Sequence, residues 1–332
     1  MFKQKPLKEQ IIVITGATSG IGLATAREAA KRGAKLVLSA RNEEDLARIA
    51  ADIVAEGGYA VYVGADVADP RAVDHIKDVA IAKFGGFDTW INNAGTSIYG
   101  KLHDVDLVEA RRLFDVNFWG VVHGSKTALS HLRERGGTLI NIGSVLSQRA
   151  IPLQGIYSAT KHAVKAYTDA LRMEVEMENL PVSVTLVKPA AIDTPYTEHA
   201  RNHLDVAPQN PPPVYAPELV ADVLLYCAEH PRRDVIVGGG GKMMSLLEKL
   251  APRVTDKVME KTMDKAQRSK RPPRQEDSLF MAPLFEGDVR GTYEGKVLED
   301  SLYTRLALHP MGALALGIGL AFMISGFALA RR

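Results

Sequence analysis

From the N-terminus to about residue 190, apolar and polar positions repeat in a fixed order. Short apolar runs, "QIIVIT", "KLVLSA" and "YAVYVGA", each lead into a stretch of helical spacing that begins near Ile21, Asn42 and Asp69. The alternation continues through "FDTWIN", a long helix near Val105 to Leu132, "GTLINIG", a helix bearing Tyr157, and "VSVTLVK", with "RDVIVGG" near Asp234 as a last strand. Unbroken apolar runs of strand length suit a parallel sheet buried on both faces, and the helices between them supply the crossovers. The pattern therefore predicts an α/β unit over residues 1–240: a doubly wound parallel sheet with helices on both faces.

Two stretches depart from this rhythm. "DTPYTEHARNHLDVAPQNPPPVYAPE", Asp193 to Glu218, is a long insert after a strand end. Ligands of such folds bind outside the carboxyl ends of strands, so it is the expected substrate loop, with a plain surface excursion as the alternative. Residues 241–310 read as a helical extension: an amphipathic helix from Lys242 to about Ala266, then the basic, proline-containing linker "QRSKRPPRQEDS". The segment 311–330, "MGALALGIGLAFMISGFALA", has no charged residue. A helix of that length spans roughly 30 Å, the thickness of a bilayer core, so a transmembrane or membrane-anchoring helix is expected there. A Gly/Ala-rich helix packed in the protein or in an oligomer is the alternative. Ala313, Gly317, Ala321 and Ser325 would put small residues on one face of that helix.

Composition narrows the function classes. The chain has 332 residues, 46% hydrophobic and 24% charged, which excludes disorder throughout. With 41 Lys and Arg against 39 Asp and Glu, the net charge of +2 gives no reason to expect a nucleic-acid partner. The single cysteine, Cys227, permits no internal disulfide, and no Cys/His cluster suggests a metal.

The candidate chemistry starts at the end of the first strand. "TGATSGIG", Thr15 to Gly22, precedes a helix, so Gly16, Gly20 and Gly22 allow a sharp turn and close approach to a pyrophosphate at the helix N-terminus. Thr18, Ser19 and Ile21 complete this expected phosphate loop of a Rossmann-like fold. After the second strand, "SARNEE" places Arg41 where an NAD site usually has a carboxylate; Glu43 and Glu44 follow Asn42 as first-turn residues of the next helix. An arginine there suits a 2′-phosphate, which points to NADP(H). Further on, "YSATK" sets Tyr157 and Lys161 one helical turn apart on one face, an arrangement suited to proton transfer.

Taken in order, "TGATSGIG", Asp66-Val67, "NNAG" (Asn92 to Gly95), Asn117, Ser144 and "YSATK" resemble the short-chain dehydrogenase/reductase family, in its compact branch, over about residues 8 to 240. The resemblance implies an oxidoreductase interconverting a carbonyl and an alcohol by hydride transfer with NADP(H). It implies Tyr157 as proton donor or acceptor, Lys161 lowering the phenol's pKa and binding the nicotinamide ribose, Ser144 orienting the substrate oxygen, and Asn117 holding a water that links Lys161 to solvent. Toward the cofactor it implies Asp66 and Val67 at the adenine, Asn93, Ala94 and Gly95 at the adenine ribose, and Pro189, Ile192 and Thr194 on the nicotinamide side. Where the family usually has Pro-Gly, this chain has Pro189-Ala190, which puts local backbone geometry in question.

The expected substrate is a lipophilic carbonyl or alcohol, and a homo-oligomer is expected as well. With membrane lipid as a partner through segment 311–330, the catalytic domain would face the cytoplasm, although Arg331 and Arg332 then run against the positive-inside tendency. The alternative from another class is an NADP-binding sensor or scaffold without turnover.

Overall fold

The computed structural model describes residues 3–274, 276–283 and 287–308. In chain order, β1 (Ile11–Thr15) leads into α1 (Gly20–Lys31), β2 (Lys35–Ala40) into α2 (Glu43–Ala55), and β3 (Tyr59–Gly64) into α3 (Pro70–Phe84). β4 (Thr89–Asn92) and the short β5 (Ile98–Tyr99) precede α4 (Leu107–Phe114) and α5 (Gly120–Arg135), followed by β6 (Gly137–Ile142), α6 (Gly155–Met177) and β7 (Val182–Pro189). The insert folds as β8 (Ala191–Ile192), α7 (Tyr196–His199), β9 (Arg201–Asn202) and β10 (Val214–Tyr215), before α8 (Pro217–Glu229) and β11 (Asp234–Val237). The extension holds α9 (Gly239–Leu250), α10 (Pro252–Ala266), β12 (Val297–Leu298) and α11 (Leu302–Leu308).

Side-chain alternation along the strands builds two cores on the two faces of one sheet. Ile12 and Ile14 of β1 join Leu36 and Leu38 of β2 under Leu23, Leu46 and Val220, on the face covered by α1, α2 and α8. Val13 and Val37 point the other way, with Trp90 and Val184, toward Val73, Leu132 and Leu171 of α3, α5 and α6. Each such side chain taken fully from water contributes about 1.5–3 kcal/mol. The sheet has seven strands in the order β11-β7-β6-β4-β1-β2-β3, and every pairing is parallel. The winding reverses between β1 and β4, so the crevice for a ligand lies at their carboxyl ends.

Local chemistry sets the helix starts. Asn42 accepts from the Asp45 N–H and Asp69 from the Arg71 N–H, N-caps typically worth about 1 kcal/mol each. Glu43 and Glu44 accordingly fall in the first turn of α2.

Three stretches differ from the sequence reading. The helix expected from Lys242 to Ala266 is two helices, because Pro252 disfavours helical geometry at Ala251, which sits at φ −148°, ψ 65°. The long helix after β4 contains a π-helical segment, Asp115–Trp119, that interrupts α-helical geometry around Asn117. The stretch read as a basic linker is packed: Pro208 and Arg268 form a β-bridge, the Ala207 N–H donates to the Arg271 carbonyl, and Leu279 is wholly buried against Ile98 and Leu113. Beyond it, β12 joins β10 and β8 in a small parallel sheet. Segment 311–330 lies outside the described residues; among the described residues no helix is long and apolar enough to cross a membrane.

Candidate active site

Two hollows meet at the carboxyl edge of the sheet. One is a cleft lined by Gly16, Thr18, Ser19, Gly20 and Ile21 of the glycine-rich loop, by Arg41, Asp66 and Val67, and by Asn93, Ala94, Gly95 and Thr194. The other is a largely apolar pocket reached by Ser144, Tyr157 and Ile192. Ile21, Thr194 and Tyr196 line both, so a molecule in the cleft would abut one in the pocket.

The glycine loop is shaped to receive a group close to its backbone. Gly16 and Gly20 have φ of +67° and +53°, which L side chains rarely adopt, and a Cβ on Gly16 would lie 2.8 Å from the Ala94 Cα. Gly22 faces away from the cleft: a Cβ there would lie 2.0 Å from the Gly16 carbonyl oxygen, so its absence lets α1 start directly under the loop. Asn93 fastens the same loop, with Nδ2 donating to the carbonyls of Thr15 and Gly16 at 2.9 and 3.0 Å. A loop of this form at a helix N-terminus fits a pyrophosphate.

The reactive end is built from β6, the turn after it and α6. Ser144 caps a short 3₁₀ turn, its Oγ accepting from the Leu146 N–H at 3.0 Å, which fixes the hydroxyl beside Tyr157. Burial raises the Tyr157 phenol above its ordinary pKa, while hydrogen bonds with Tyr196 and Ser144 pull it down. The Lys161 ammonium is buried, donates to the Ile142 carbonyl at 2.9 Å and stands 5.7 Å from the centre of the Tyr157 ring. That burial lowers its pKa to about 8.

The Asn117 side chain is bonded within the fold. Its Oδ1 accepts from the Thr96 N–H at 2.9 Å, and its Nδ2 donates to the Thr96 carbonyl at 2.9 Å and to Thr160 Oγ1 at 3.3 Å. The side-chain amide thus ties the strand end after β4 to α6. Asp66 reaches the cleft but shares Oδ2 with Arg112 at 2.5 Å and receives the Ala68 N–H on Oδ1. Pro189, at the end of β7, lines neither hollow.

A family model described as short chain dehydrogenase matches residues 10–205. The chain belongs to the short-chain dehydrogenase/reductase family. It is 45% identical over 324 residues to the uncharacterized oxidoreductase YxnA of Bacillus subtilis, covering 96% of this chain and 91% of that one. Among solved structures, a short chain dehydrogenase/reductase from Burkholderia phymatum in complex with NAD superimposes with a TM-score of 0.69 at 26% identity, over 76% of this chain and 96% of that one. An alcohol dehydrogenase from Thermococcus sibiricus complexed with 5-hydroxy-NADP gives 0.61 at 27% identity, over 68% and 95%. The protein is an oxidoreductase of this family.

Within this dehydrogenase/reductase, the Ala190 departure carries no strain. Among the described residues, positive φ outside glycine occurs only at Leu153 and Asn179, and the Ala190 methyl simply faces the apolar pocket. Sequence reasoning missed a group of lining residues: Ser278, Ala282 and Pro283 of the extension stand in the dinucleotide cleft, beside His199 of the insert. No local signal marks them, since they meet the cleft only through long-range contacts, as in the bond of Arg41 Nη2 to the Ser278 carbonyl at 2.6 Å, 237 residues apart.

Proposed function

We propose that this protein is an NADP(H)-dependent oxidoreductase that interconverts a carbonyl and an alcohol on a lipophilic substrate. One juxtaposition carries the reading: the Tyr157 and Ser144 side chains border an apolar pocket that shares Ile21, Thr194 and Tyr196 with the dinucleotide cleft. When bound, the nicotinamide would supply or accept the hydride at that junction. The Ser144 hydroxyl would donate to the substrate oxygen, and Tyr157 would pass its proton to the same oxygen during reduction. A phenol held protonated by burial suits that direction at neutral pH. Lys161 would stabilise the charge left on Tyr157 and hold the nicotinamide ribose.

Support for the phosphorylated cofactor comes from Arg41, which lines the cleft at the end of β2 where Asp66 is the nearest carboxylate among the lining residues. Support for a lipophilic substrate comes from Val145, Leu146, Ile151, Met244 and Met263 around Tyr157. The apolar segment 311–330 supports attachment to a membrane, and the supply of NADPH in the cytoplasm supports a catalytic domain on that side.

The test is to incubate the purified protein with NADPH or NADH and a panel of steroid, retinoid, long-chain aldehyde, quinone and small carbonyls, following cofactor absorbance. Consumption of NADPH with a lipophilic carbonyl is expected. Tight NADPH binding without turnover on any carbonyl or alcohol would favour the sensor reading instead.

A further inference from the structure

The cleft that the glycine loop opens is closed on its far side by the protein's own C-terminal extension. Both ends of the closing segment are fastened. At the upstream end, Ser278 donates its N–H and its hydroxyl to the His199 carbonyl at 2.8 and 3.0 Å, and the wholly buried Leu279 side chain packs between Ile98 and Leu113. At the downstream end, Thr292 donates its N–H and hydroxyl to Glu198 Oε1, both at 2.9 Å. Gly291 lies so close to the Thr194 carbonyl that a Cβ would come within 2.5 Å of its oxygen.

Between these anchors the segment touches the elements that the dinucleotide reading assigns to the cofactor. The Ser278 carbonyl accepts from Arg41 Nη2 at 2.6 Å, and the Pro283 carbonyl accepts from Asn42 Nδ2 at 3.0 Å, both just after β2. The Leu279 carbonyl accepts from Arg112 Nε at 3.0 Å, and the same guanidinium holds Asp66. The Asp288 carbonyl accepts from the Gly20 N–H at 2.9 Å, at the N-terminus of α1. Ser278, Ala282 and Pro283 meanwhile face into the cleft itself.

We propose that residues 277–283 and 287–293 form a clasp that completes the dinucleotide site and retains the adenosine half of the cofactor. The inference rests on the dinucleotide reading given above and goes beyond it in assigning the extension to cofactor retention. The bonds that hold the clasp to the cleft are accepted by main-chain carbonyls, so they depend on the path of the segment more than on its side chains. A bound dinucleotide would lie between the glycine loop and the clasp, and leaving would require the anchors at Ser278 or Leu279 to release. Retention of this kind shows in the rate of dissociation more than in the rate of association.

The experiment compares full-length wild type with Leu279→Ser, which removes the buried anchor, and with Ser278→Pro, which removes both donors to His199. NADPH dissociation is followed by stopped-flow fluorescence after mixing with excess NADP⁺. Both variants should release NADPH at least ~10-fold faster, since weakened contacts act chiefly on the dissociation rate. Trypsin cleavage after Lys270 and Arg274 should be slowed by NADPH in wild type and much less so in the variants. Because Ser278 lies outside the main sheet, its replacement keeps the test valid if Leu279→Ser fails to fold. Unchanged release from folded variants overturns the clasp alone, and so does slower release, which would make the segment a competitor. A wild type that binds neither NADPH nor NADH overturns the dinucleotide reading together with the clasp.

Discussion

Lys161 stands one helical turn from Tyr157 with its ammonium 5.7 Å from the phenol ring centre, and it is held there by the Ile142 carbonyl at the end of β6. Burial acts on the two groups in opposite directions on the pH scale, raising the phenol and lowering the ammonium to about 8. Both shifts favour the neutral form. Lys161 is therefore mostly charged at pH 7 and loses its charge as pH rises through about 8. If its charge supports proton donation by Tyr157, the maximal rate of carbonyl reduction should fall through that range. A reduction rate that stays level from pH 7 to pH 10 would remove Lys161's charge from the mechanism.

Replacing Tyr157 with Phe keeps the edge-to-face contact with Tyr196, whose ring centre lies 5.5 Å away, and deletes only the hydroxyl. Turnover should drop by at least ~10²-fold, the usual scale for losing a general acid. NADPH affinity should change little, as titration of cofactor fluorescence would show. Near-full turnover on the true substrate would mean another group delivers the proton.

How much of this was legible beforehand depends on whether the signal was local. Tyr157 and Lys161 share a helix face, and Gly16 and Gly20 lie where a strand passes into a helix, so spacing together with the neighbouring motifs marked them. Asn42 and Asp69 announced their helices through side-chain capping, a contact made within three residues. The contacts that escaped are those the chain makes at a distance. The buried hydrogen bond from Gln154 Nε2 to Gln267 Oε1 at 2.7 Å joins the substrate pocket to the end of α10, and nothing near either residue marks it. The same holds for Ser278 against Arg41, which turned a stretch with the composition of a solvated linker into one wall of the cleft. Asn117 was found by its motif, but the bonds its side chain makes could be read only from Thr96 and Thr160 in place around it.

Arg41 holds the Ser278 carbonyl and is proposed to hold a 2′-phosphate, and one pair of titrations separates the two. A charge-assisted bond to a 2′-phosphate is worth about 1.5–3 kcal/mol, or roughly 10- to 150-fold in Kd, and NADH lacks that phosphate. The bond to the Ser278 carbonyl involves no part of the cofactor. Arg41→Ala should thus weaken NADPH by at least ~10-fold more than NADH, with any loss common to both reporting on Ser278. Equal losses for the two cofactors would leave no case for 2′-phosphate recognition.

The last described residue, Leu308, is buried, and its carbonyl accepts from the Tyr226 hydroxyl at 2.9 Å and from Arg232 Nη2 at 2.8 Å. Arg232 lies two residues before β11, so this point lies at the edge where the parallel strands begin, opposite the edge that carries Ser144 and Tyr157. A chain ending at Leu308 would keep both bonds and leave the catalytic edge untouched. Removal of segment 311–330 is therefore the test of attachment, and the bonds at Leu308 are expected to keep the site intact without it. After a high-salt, alkaline wash, the full chain is expected in the membrane pellet, and the chain ending at Leu308 in the supernatant with its NADPH-dependent activity retained. The apolar length of the segment and its lack of charge both lead to that outcome. Recovery of the full chain in the supernatant would show that the segment packs against protein.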